Sequence, residues 1–411
     1  MKCVEMNVLP INRLSLYCIT PNNAHKINNQ QNNCNNSDLN LYHTYPVTNI
    51  SFQANLIKAP SKLERFKGCL LGGAIGDAFG ADIEFMSSKE IKDLYGEYGL
   101  TVKKYLKNNK NLNFTDDTQM TIFTADGLIK SAIKNGTKYK VDFGTVFNSY
   151  LDWLSTQYDK HINHGWISRI SDLYQQKAPG NTCVSSLMLK EPGTINNKIN
   201  NSKGNGGIMR VAPVGLVYHR NPNNAFNIAS GCAALTHSNP DAYLSAGTFA
   251  AIIAYLVKNE SIENAVLNSL RILKNKNHSE EIYLLLNNAI KFTKKNISDA
   301  EAIQQLGNGK IGSSALAISI YSSLKYKNNF EKAIEVAANN CRDRDTVAAI
   351  TGNIMGTYYG INNIHKQLIN KLQLKDEIIM LAQDLYKPFT SIKDSKNRYV
   401  IQQTPDDNKL S

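Results

Sequence analysis

Two short runs of oxygen-bearing side chains are candidates for metal-binding or catalytic chemistry. The first comprises Thr115, Asp116 and Asp117, directly before an amphipathic helical pattern. A helix start stabilises negative charge through its free N–H groups and its dipole, so Thr115 or Asp116 could simply be an N-cap. A cap needs only one such residue, whereas adjacent carboxylate and hydroxyl oxygens are also the ligands that Mg²⁺ prefers. The pattern is therefore consistent with both a metal site and a helix cap.

The second run has the same chemistry and lies far along the chain. It comprises Asp343, Asp345 and Thr346, again directly before a helical pattern. Four carboxylates brought together from the two runs would repel one another unless cations neutralised them. Two divalent ions could do so and could assist a hydrolytic step. The runs thus suggest one binuclear, oxygen-ligated site, with Mg²⁺ as the expected ion and Mn²⁺ as an alternative.

A glycine-rich loop, NSKGNGGIMR, is the third candidate. The backbone N–H groups of Gly204, Asn205 and Gly206 could cradle a diphosphate, with Ser202 just before them. The loop is not a Walker motif, because no Gly-Lys-Thr or Gly-Lys-Ser follows it, and it is not a Rossmann fingerprint either. A flexible surface loop without a ligand is the alternative interpretation.

Helices must position these residues, because hydrophobic patterns with helical spacing dominate the chain. The stretches TQMTIFTADGLIKSAIK and IGSSALAISIYSSLKY carry such patterns, and Asn239 followed by Pro240 predicts another helix start. Few segments alternate with period two. We therefore expect an all-α domain over residues 61–388, a low-complexity, mostly disordered Asn-rich extension at 1–60 and a polar C-terminal tail at 389–411.

Glycines recur every four residues in two helical segments. They are Gly68, Gly72, Gly76 and Gly80 in the first segment, and Gly352, Gly356 and Gly360 in the second. An interior glycine costs a helix up to about 1 kcal/mol relative to alanine. Seven of them indicate that another backbone approaches closely. We expect a compact helix pair that brings its ends to a common site, although close packing alone would also explain the spacing.

Composition narrows the class of protein. Of the 411 residues, 42% are hydrophobic and 19% are charged, which excludes a fully disordered chain or a coiled coil. No run of 18 uncharged apolar residues predicts a membrane span, and seven dispersed cysteines predict neither a disulfide framework nor a zinc site. The net charge of +12 would suit a polyanion, but no arginine stripe accompanies it, so nucleic-acid binding is not expected. A cytoplasmic monomer of bacterial-like composition is expected, with a translocated effector as the alternative.

Six segments occur in the order of the motifs of one enzyme family. They are GCLLGGAIGDAFGADIEF, FTDDTQMT, PGNT, GNGGIMRVAPVGL, ALTHSNPDA and DRDTVAAITGNIMGTYYG. Over about residues 63–360 the chain resembles the ADP-ribosylglycohydrolases, the group that includes the dinitrogenase reductase-activating glycohydrolase. The resemblance implies an all-α orthogonal multi-helix bundle with two Mg²⁺ ions in a central cleft. It also implies hydrolysis of the N- or O-glycosidic bond between ADP-ribose and a protein side chain, so ADP-ribose and an ADP-ribosylated protein are the implied ligands.

The same resemblance assigns roles to individual residues. The implied metal ligands are Thr115, Asp116, Asp117, Asp343, Asp345 and Thr346. The implied substrate-binding residues are Ser202, Gly204, Asn205, Gly206 and His237. The candidates for the catalytic base are Asp116, Asp117 and Glu84, and the sequence does not choose among them. Asp77 is expected to be a buried structural partner.

The chain departs from the family pattern at its last motif and carries an unusual extension. Arg344 stands between Asp343 and Asp345, where it could lower their pKa values, reach ligand phosphates or point to solvent. Cys341 is expected to be a small packed residue. The extension raises a second hypothesis, an immunity or binding protein that neutralises an ADP-ribosylating toxin. The glycine-rich loop raises a third, another Mg²⁺-dependent nucleotide phosphohydrolase. The side-chain linkage that is cleaved stays open.

Overall fold

The computed structural model describes residues 59–108, 110–387 and 396–399, and helices dominate them. Its α-helices are α1 Lys62–Ala81, α2 Ser88–Tyr95, α3 Val102–Lys107, α4 Asp116–Asn135, α5 Phe143–Gln157, α6 Asn181–Met188, α7 Ala212–Val217, α8 Pro222–Ala234, α9 Pro240–Val257, α10 Ile262–Lys274, α11 Glu280–Phe292, α12 Asp299–Leu306, α13 Gly312–Lys325, α14 Phe330–Asn339, α15 Arg344–Tyr359, α16 Lys366–Lys371, α17 Lys375–Tyr386 and α18 Lys396–Tyr399. Short 3₁₀ turns lie at Ile167–Arg169, Ser171–Leu173, Asn205–Gly207 and Ile361–Asn363.

The predicted all-α class is confirmed. Within the described residues, extended backbone pairs only at two isolated bridges, Leu112 with Leu372 and Gly204 with Ile311. The helix start predicted at Asn239 is also correct, because its side chain accepts a hydrogen bond from the N–H of Asp241. Nearly all of the extension predicted at 1–60 lies outside the described residues.

Helices α1 and α15 form the central antiparallel pair, and their glycines face each other's backbone. A Cβ atom on Gly72 would lie 2.4 Å from the carbonyl oxygen of Gly352, and one on Gly356 would lie 2.0 Å from that of Gly68. Any side chain at these positions would force the helices apart. Near the other end, a Cβ on Gly80 would lie 2.4 Å from the carbonyl oxygen of Arg344. The pair therefore brings the end of α1 against the start of α15, as the glycine spacing predicts.

Helix α9 is a long and largely buried helix. Its 18 residues are long and apolar enough to cross a membrane, but 83% of them are buried inside the protein. It packs against α7, α8, α10 and α13. Among the described helices no other meets this length and composition test, and α9 serves here as a core helix.

Part of the tail predicted at 389–411 packs onto the domain. Tyr399 is buried, and its hydroxyl donates a hydrogen bond to Asp384 over 2.7 Å. Arg398 forms an ion pair with the same carboxylate over 2.9 Å, and its carbonyl oxygen accepts a hydrogen bond from the N–H of Trp166. The polar composition of the segment conceals this anchor, because two residues of α18 are enough to attach it.

Candidate active site

The two acidic helix starts meet where α1, α4 and α15 come together. The hydroxyl of Thr346 lies 3.2 Å from Oδ1 of Asp117, and the hydroxyl of Thr115 lies 3.3 Å from Oδ2 of Asp345. All four residues are buried. Residues from runs that are far apart in sequence are thus in direct contact, as the shared chemistry of the runs predicts.

Three of these residues, Asp117, Asp345 and Thr346, border a cavity of about 540 Å³. The predicted site residues that line it are Glu84, Asp116, Asp117, Gly204, Asn205, Gly206, His237, Asp343, Asp345 and Thr346. Thr115 and Ser202 are not among the lining residues. The Ser202 hydroxyl instead accepts a hydrogen bond from the N–H of Gly204 and lies 3.0 Å from the hydroxyl of Thr182.

Asp77 of α1 holds the first residues of α4 in place. Its carboxylate accepts hydrogen bonds from the N–H and hydroxyl groups of Thr115 and of Thr118, over 2.5–3.1 Å. It satisfies donors that a helix start leaves free. Thr115 is itself the N-cap, because its hydroxyl accepts from the N–H of Asp117. The expected structural role of Asp77 is confirmed, and Thr115 is a helix cap, whereas its role as a metal ligand stays a prediction.

The site concentrates negative charge away from water. Burial, reinforced by the charge of Asp345, raises the pKa of Asp117 well above its usual range. Burial likewise raises the pKa values of Asp116 and Asp345 well above their usual range. Among the described residues, Oδ2 of Asp117 is buried without a hydrogen-bond partner. A buried carboxylate oxygen without a partner is costly, and this arrangement is suited to receive cations.

The donor set fits divalent cations. The oxygens come from four carboxylates and two hydroxyls, which are hard ligands of the kind that Mg²⁺ and Mn²⁺ take. The carboxylates are spread over two helix starts, and within the described part of the chain no three acidic, histidine or cysteine side chains already form a metal-binding group. Residues that could hold ions are thus present in two half-sites: Thr115, Asp116 and Asp117, and Asp343, Asp345 and Thr346.

Glu84 lies half-buried in the turn after α1, beside the start of α15. Burial and the charges of Asp343 and Asp77 raise its pKa to about 7. A carboxyl group with a pKa near neutrality can both give and take a proton at physiological pH. Of the three candidates for the base, Glu84 has the environment that best suits proton transfer.

The glycine-rich loop is fixed in place by a second loop, so its interpretation as a flexible surface loop is wrong. The N–H of Asn205 donates to the carbonyl of Lys310 over 3.3 Å, and its side chain donates to the carbonyl of Gly309 over 2.8 Å. The N–H groups of Gly204 and Asn205 thus already have acceptors within the protein. A diphosphate would have to rely on other donors, so the loop offers a ligand fewer free backbone N–H groups than the sequence suggests.

His237 is buried at the floor of the cavity. Its Nδ1 lies 2.8 Å from the hydroxyl of Thr236. Burial, together with the nearby positive charge of Arg210, lowers the pKa of His237 to about 3, so the ring is neutral at physiological pH. Its Nε2 lies close to Gly204 and Gly206, on the side of the glycine-rich loop.

Arg344 is buried and its guanidinium donates to backbone carbonyl groups, so the predicted orientations towards solvent or towards ligand phosphates are wrong. Its guanidinium donates to the carbonyl groups of Ala338 and Met86, over 2.8 and 3.3 Å, and the side chain is buried. Cys341 is buried as expected, with its thiol near the carbonyl of Ala337. Burial raises its pKa, so the thiol is not activated.

Two contributions to the site are not evident from the sequence. The N–H of Gly180 donates to Oδ2 of Asp116 over 3.1 Å, which gives the PGNT segment its role. Lys310 is the only lysine or arginine among the residues lining the cavity. In the sequence, the glycines of GNGK next to Lys310 were the feature that could have pointed to it. Only the tertiary contact with the glycine-rich loop brings Lys310 to the site.

A larger cavity, of about 790 Å³, lies outside this site. Its lining includes Tyr98, Asn308 and Arg342. The charged side chains there include a mutual ion pair, Lys92 with Glu97 over 2.8 Å. The mixed lining does not resemble the acidic cluster, so the smaller cavity is the candidate active site.

Comparison with known proteins agrees with this geometry. The model of the ADP-ribosylglycohydrolase family matches residues 58–394. The chain belongs to the ADP-ribosylglycohydrolase family. The match spans the acidic helix starts, the glycine-rich loop and His237 together, so these features are parts of one family domain.

Several proteins that are named as ADP-ribosyl hydrolases are similar to this chain. ADP-ribosylarginine hydrolase Tri1 of Serratia proteamaculans is 27% identical over 340 residues, which cover 80% of this chain and 81% of the relative. ADP-ribosylhydrolase ARH3 of Bos taurus is 23% identical, and the match covers 80% of this chain and 94% of the relative. ADP-ribosyl-[dinitrogen reductase] glycohydrolase of Rhodospirillum rubrum is 24% identical and covers 77% and 93%. A solved ADP-ribosylglycohydrolase-related protein complex has the same fold, with a TM-score of 0.54 and 22% identity over 79% of this chain and 98% of that chain.

Proposed function

We propose that this chain is a Mg²⁺-dependent hydrolase that removes ADP-ribose from modified protein side chains. One observation carries the proposal: two acidic helix starts and a glycine-rich loop border the same cavity. The names of the similar family members support the substrate class, since each relative described above is an ADP-ribosyl hydrolase by name.

In this proposal two Mg²⁺ ions, or Mn²⁺ in their place, are held by Thr115, Asp116, Asp117, Asp343, Asp345 and Thr346. The unpartnered Oδ2 of Asp117 supports this, as do the raised pKa values of the buried carboxylates around it. When bound, such ions supply Lewis acidity and fix the orientation of a sugar's hydroxyl groups. Asp77 keeps the first half-site rigid, because it holds the backbone of Thr115 and Thr118.

Glu84 is the group that we propose to move the proton. Glycosidic cleavage passes through an oxocarbenium-like state and needs an attacking water and a stabilised leaving group. The Glu84 carboxylate would accept a proton from that water, and cations held by Asp343 would offset the repulsion that helps to raise the pKa of Glu84, which favours its basic form. Asp116 and Asp117 are the alternatives, but both lie deeper and are assigned to the ions.

Lys310 and the glycine-rich loop are proposed to bind the diphosphate of ADP-ribose. The Lys310 side chain is exposed at the mouth of the cavity and is close enough to influence Glu84 and Asp343 electrostatically. Gly206 lets a ligand approach the backbone without a Cβ in the way. A cation and a concave backbone surface together form a common type of anion site.

The decisive experiment measures release of free ADP-ribose from modified peptides. The full-length chain is incubated with arginine-linked and serine-linked mono-ADP-ribosyl peptides, in Mg²⁺ or in excess EDTA, and the products are separated chromatographically. We expect Mg²⁺-dependent release from at least one linkage, and the faster substrate identifies the linkage. The variant Asp345→Asn, which removes one proposed ion ligand, should lose this release, and Asp376→Asn, which changes an exposed acidic residue of α17, is its matched control.

The rival functions give different outcomes in the same experiment. Tight binding of modified peptide without turnover would support an immunity or binding protein. Release of inorganic phosphate from a nucleotide, with intact ADP-ribosyl peptide, would support a phosphohydrolase. Turnover that persists in excess EDTA would contradict the role proposed for the ions.

A further inference from the structure

Arg210 is a fully buried cation that lies directly behind the candidate active site. One of its terminal nitrogens donates to the hydroxyl of Thr236 over 2.7 Å and to the carbonyl of Cys232 over 3.1 Å. Its guanidinium carbon lies 4.1 Å from the centre of the Tyr150 ring. In the described part of the chain, the hydrogen-bond partners of the Arg210 guanidinium are all neutral groups and include no carboxylate. A buried charge held only by neutral groups is expensive, which suggests a use for it.

The hydrogen-bond chain that starts at Arg210 determines where the proton of His237 resides. A guanidinium only donates, so the Thr236 oxygen accepts from Arg210. The single proton of the hydroxyl is then free to be donated to Nδ1 of His237, 2.8 Å away. Among the described residues, this hydroxyl forms no hydrogen bond to another acceptor. Nδ1 therefore acts as the acceptor, and a neutral ring must carry its proton on Nε2.

The protonated nitrogen lies next to the glycine-rich loop. A Cβ atom added to Gly206 would lie 3.2 Å from Nε2, and one added to Gly204 would lie 3.3 Å from it. Both glycines and His237 line the cavity. An N–H group at this position can donate into space that glycine residues keep open.

We propose that Arg210 and Thr236 are positioning residues that fix His237 in the Nε2–H form, so that it donates a hydrogen bond to a diphosphate oxygen of the ligand. The anionic acceptor follows from the charge behind the ring, because Arg210 makes the N–H a stronger donor towards an anion. In this form His237 cannot serve as the general base, which leaves proton abstraction to a carboxylate. The identity of the ligand as ADP-ribose rests on the proposed function, whereas the tautomer does not.

The tautomer can be observed directly in the full-length chain. Ring nitrogens of ¹⁵N-histidine give distinct chemical shifts for the Nδ1–H, Nε2–H and doubly protonated forms, and loss of one signal set in His237→Gln assigns the residue. At pH 7 we expect the Nε2–H pattern in the wild type and in Thr236→Ser. Thr236→Val has nearly the same shape but no hydroxyl, so in this variant the His237 ring should no longer be exclusively in the Nε2–H form. An Nδ1–H or doubly protonated ring in the wild type would overturn the inference.

Binding of ADP-ribose tests the functional half of the inference. By calorimetry, Thr236→Val should bind ADP-ribose about tenfold more weakly than the wild type, and Thr236→Ser should restore the affinity. Unchanged affinity in a folded Thr236→Val protein would contradict the positioning role. If the wild type has the Nε2–H form and binds ADP-ribose but releases none from any modified peptide, the proposed function fails while this inference stands.

Discussion

The hydroxyl of Thr346 lies 3.2 Å from a carboxylate oxygen of Asp117, although 229 residues separate them in sequence. Thr346 belongs to the first turn of α15 and Asp117 to the first turn of α4. Their contact joins the two acidic runs into one centre. Neither run alone has more than two carboxylates, so the chemistry of the site depends on how accurately α1 holds the two helix starts together.

Asp345→Asn removes a negative charge from this centre and leaves the shape of the side chain nearly unchanged. We expect turnover of ADP-ribosyl peptide to fall by at least about a hundredfold, because the amide cannot replace an anionic oxygen ligand. In excess EDTA the variant should unfold at a higher temperature than the wild type, since one buried negative charge has been removed from a repelling cluster. Thermal unfolding with and without Mg²⁺, and calorimetric titration of Mg²⁺, measure these effects.

Asp376→Asn provides the matched control for this prediction. It removes the same charge from an exposed position of α17 and should leave turnover and Mg²⁺ binding unchanged. A fully active Asp345→Asn protein would remove the proposed ion site.

Much of this centre could be predicted from the sequence because its oxygens are local and concentrated. The residues FTDDTQ and DRDT place carboxylates and hydroxyls at helix starts, and the spacing of Gly72 and its neighbours predicts the helix pair that joins them. The two features together imply a shared site. Helix starts are indicated by their hydroxyl and carboxylate residues, and close backbone packing is indicated by regularly spaced glycines.

Other features depend on contacts that no local pattern contains. The direction of Arg344 is set by the carbonyl groups of Ala338 and Met86, which lie on neighbouring segments. Lys310 reaches the cavity only because its loop pairs with the loop around Asn205. Such positions follow from tertiary packing, so sequence reasoning could state alternatives for Arg344 and could not find Lys310.

Gly72→Ala should destabilise the protein through the central helix pair. The new methyl group would lie 2.4 Å from the carbonyl oxygen of Gly352, and rigid backbone is costly to move. We expect a loss of about 2 kcal/mol or more in the free energy of unfolding. The start of α15 should shift as well, so turnover per folded molecule should also fall. Urea denaturation and activity at a temperature where the variant is folded measure the two effects.

Gly144→Ala controls for the simple loss of a glycine. Its Cβ would meet only the partly exposed carboxylate of Asp142, at 3.3 Å, so stability should change by less than about 0.5 kcal/mol. Equal effects of the two substitutions would show that the close approach of α1 and α15 does not matter energetically.

Lys310→Met tests the proposed anion contact at the mouth of the cavity. The substitution keeps much of the side chain's length and removes its charge. We expect affinity for ADP-ribose to fall about threefold to tenfold at low salt, with a smaller difference at high salt, because the ammonium is exposed and therefore screened. Titration of ADP-ribose at two salt concentrations measures this. Lys198→Met, at an exposed position outside the cavity lining, should not change the affinity. Equal losses in both variants would indicate a general charge effect.

The neutral state of His237 should make the protein sensitive to acid. Its pKa is about 3 in the folded protein, because burial and Arg210 oppose the charged form, whereas an unfolded histidine has a pKa of about 6.5. Between these values the unfolded chain binds a proton that the folded chain does not. The stability from this residue is therefore complete above pH 6.5 and decreases as the pH falls towards 3. The slope reaches about 1.4 kcal/mol per pH unit within that window.

His237→Gln removes this dependence while keeping a polar side chain in the cavity. We expect the stability difference, wild type minus variant, to decrease by roughly 2 kcal/mol between pH 6.5 and pH 4.5. Urea denaturation at several pH values in that range measures it, and taking the difference cancels the titration of groups common to both proteins. His161→Gln, at a side chain that is 74% exposed, controls for the loss of a histidine as such. A constant difference for His237→Gln would mean that the folded protein accepts a proton at this ring, which is incompatible with a neutral imidazole held between Thr236 and the glycine-rich loop.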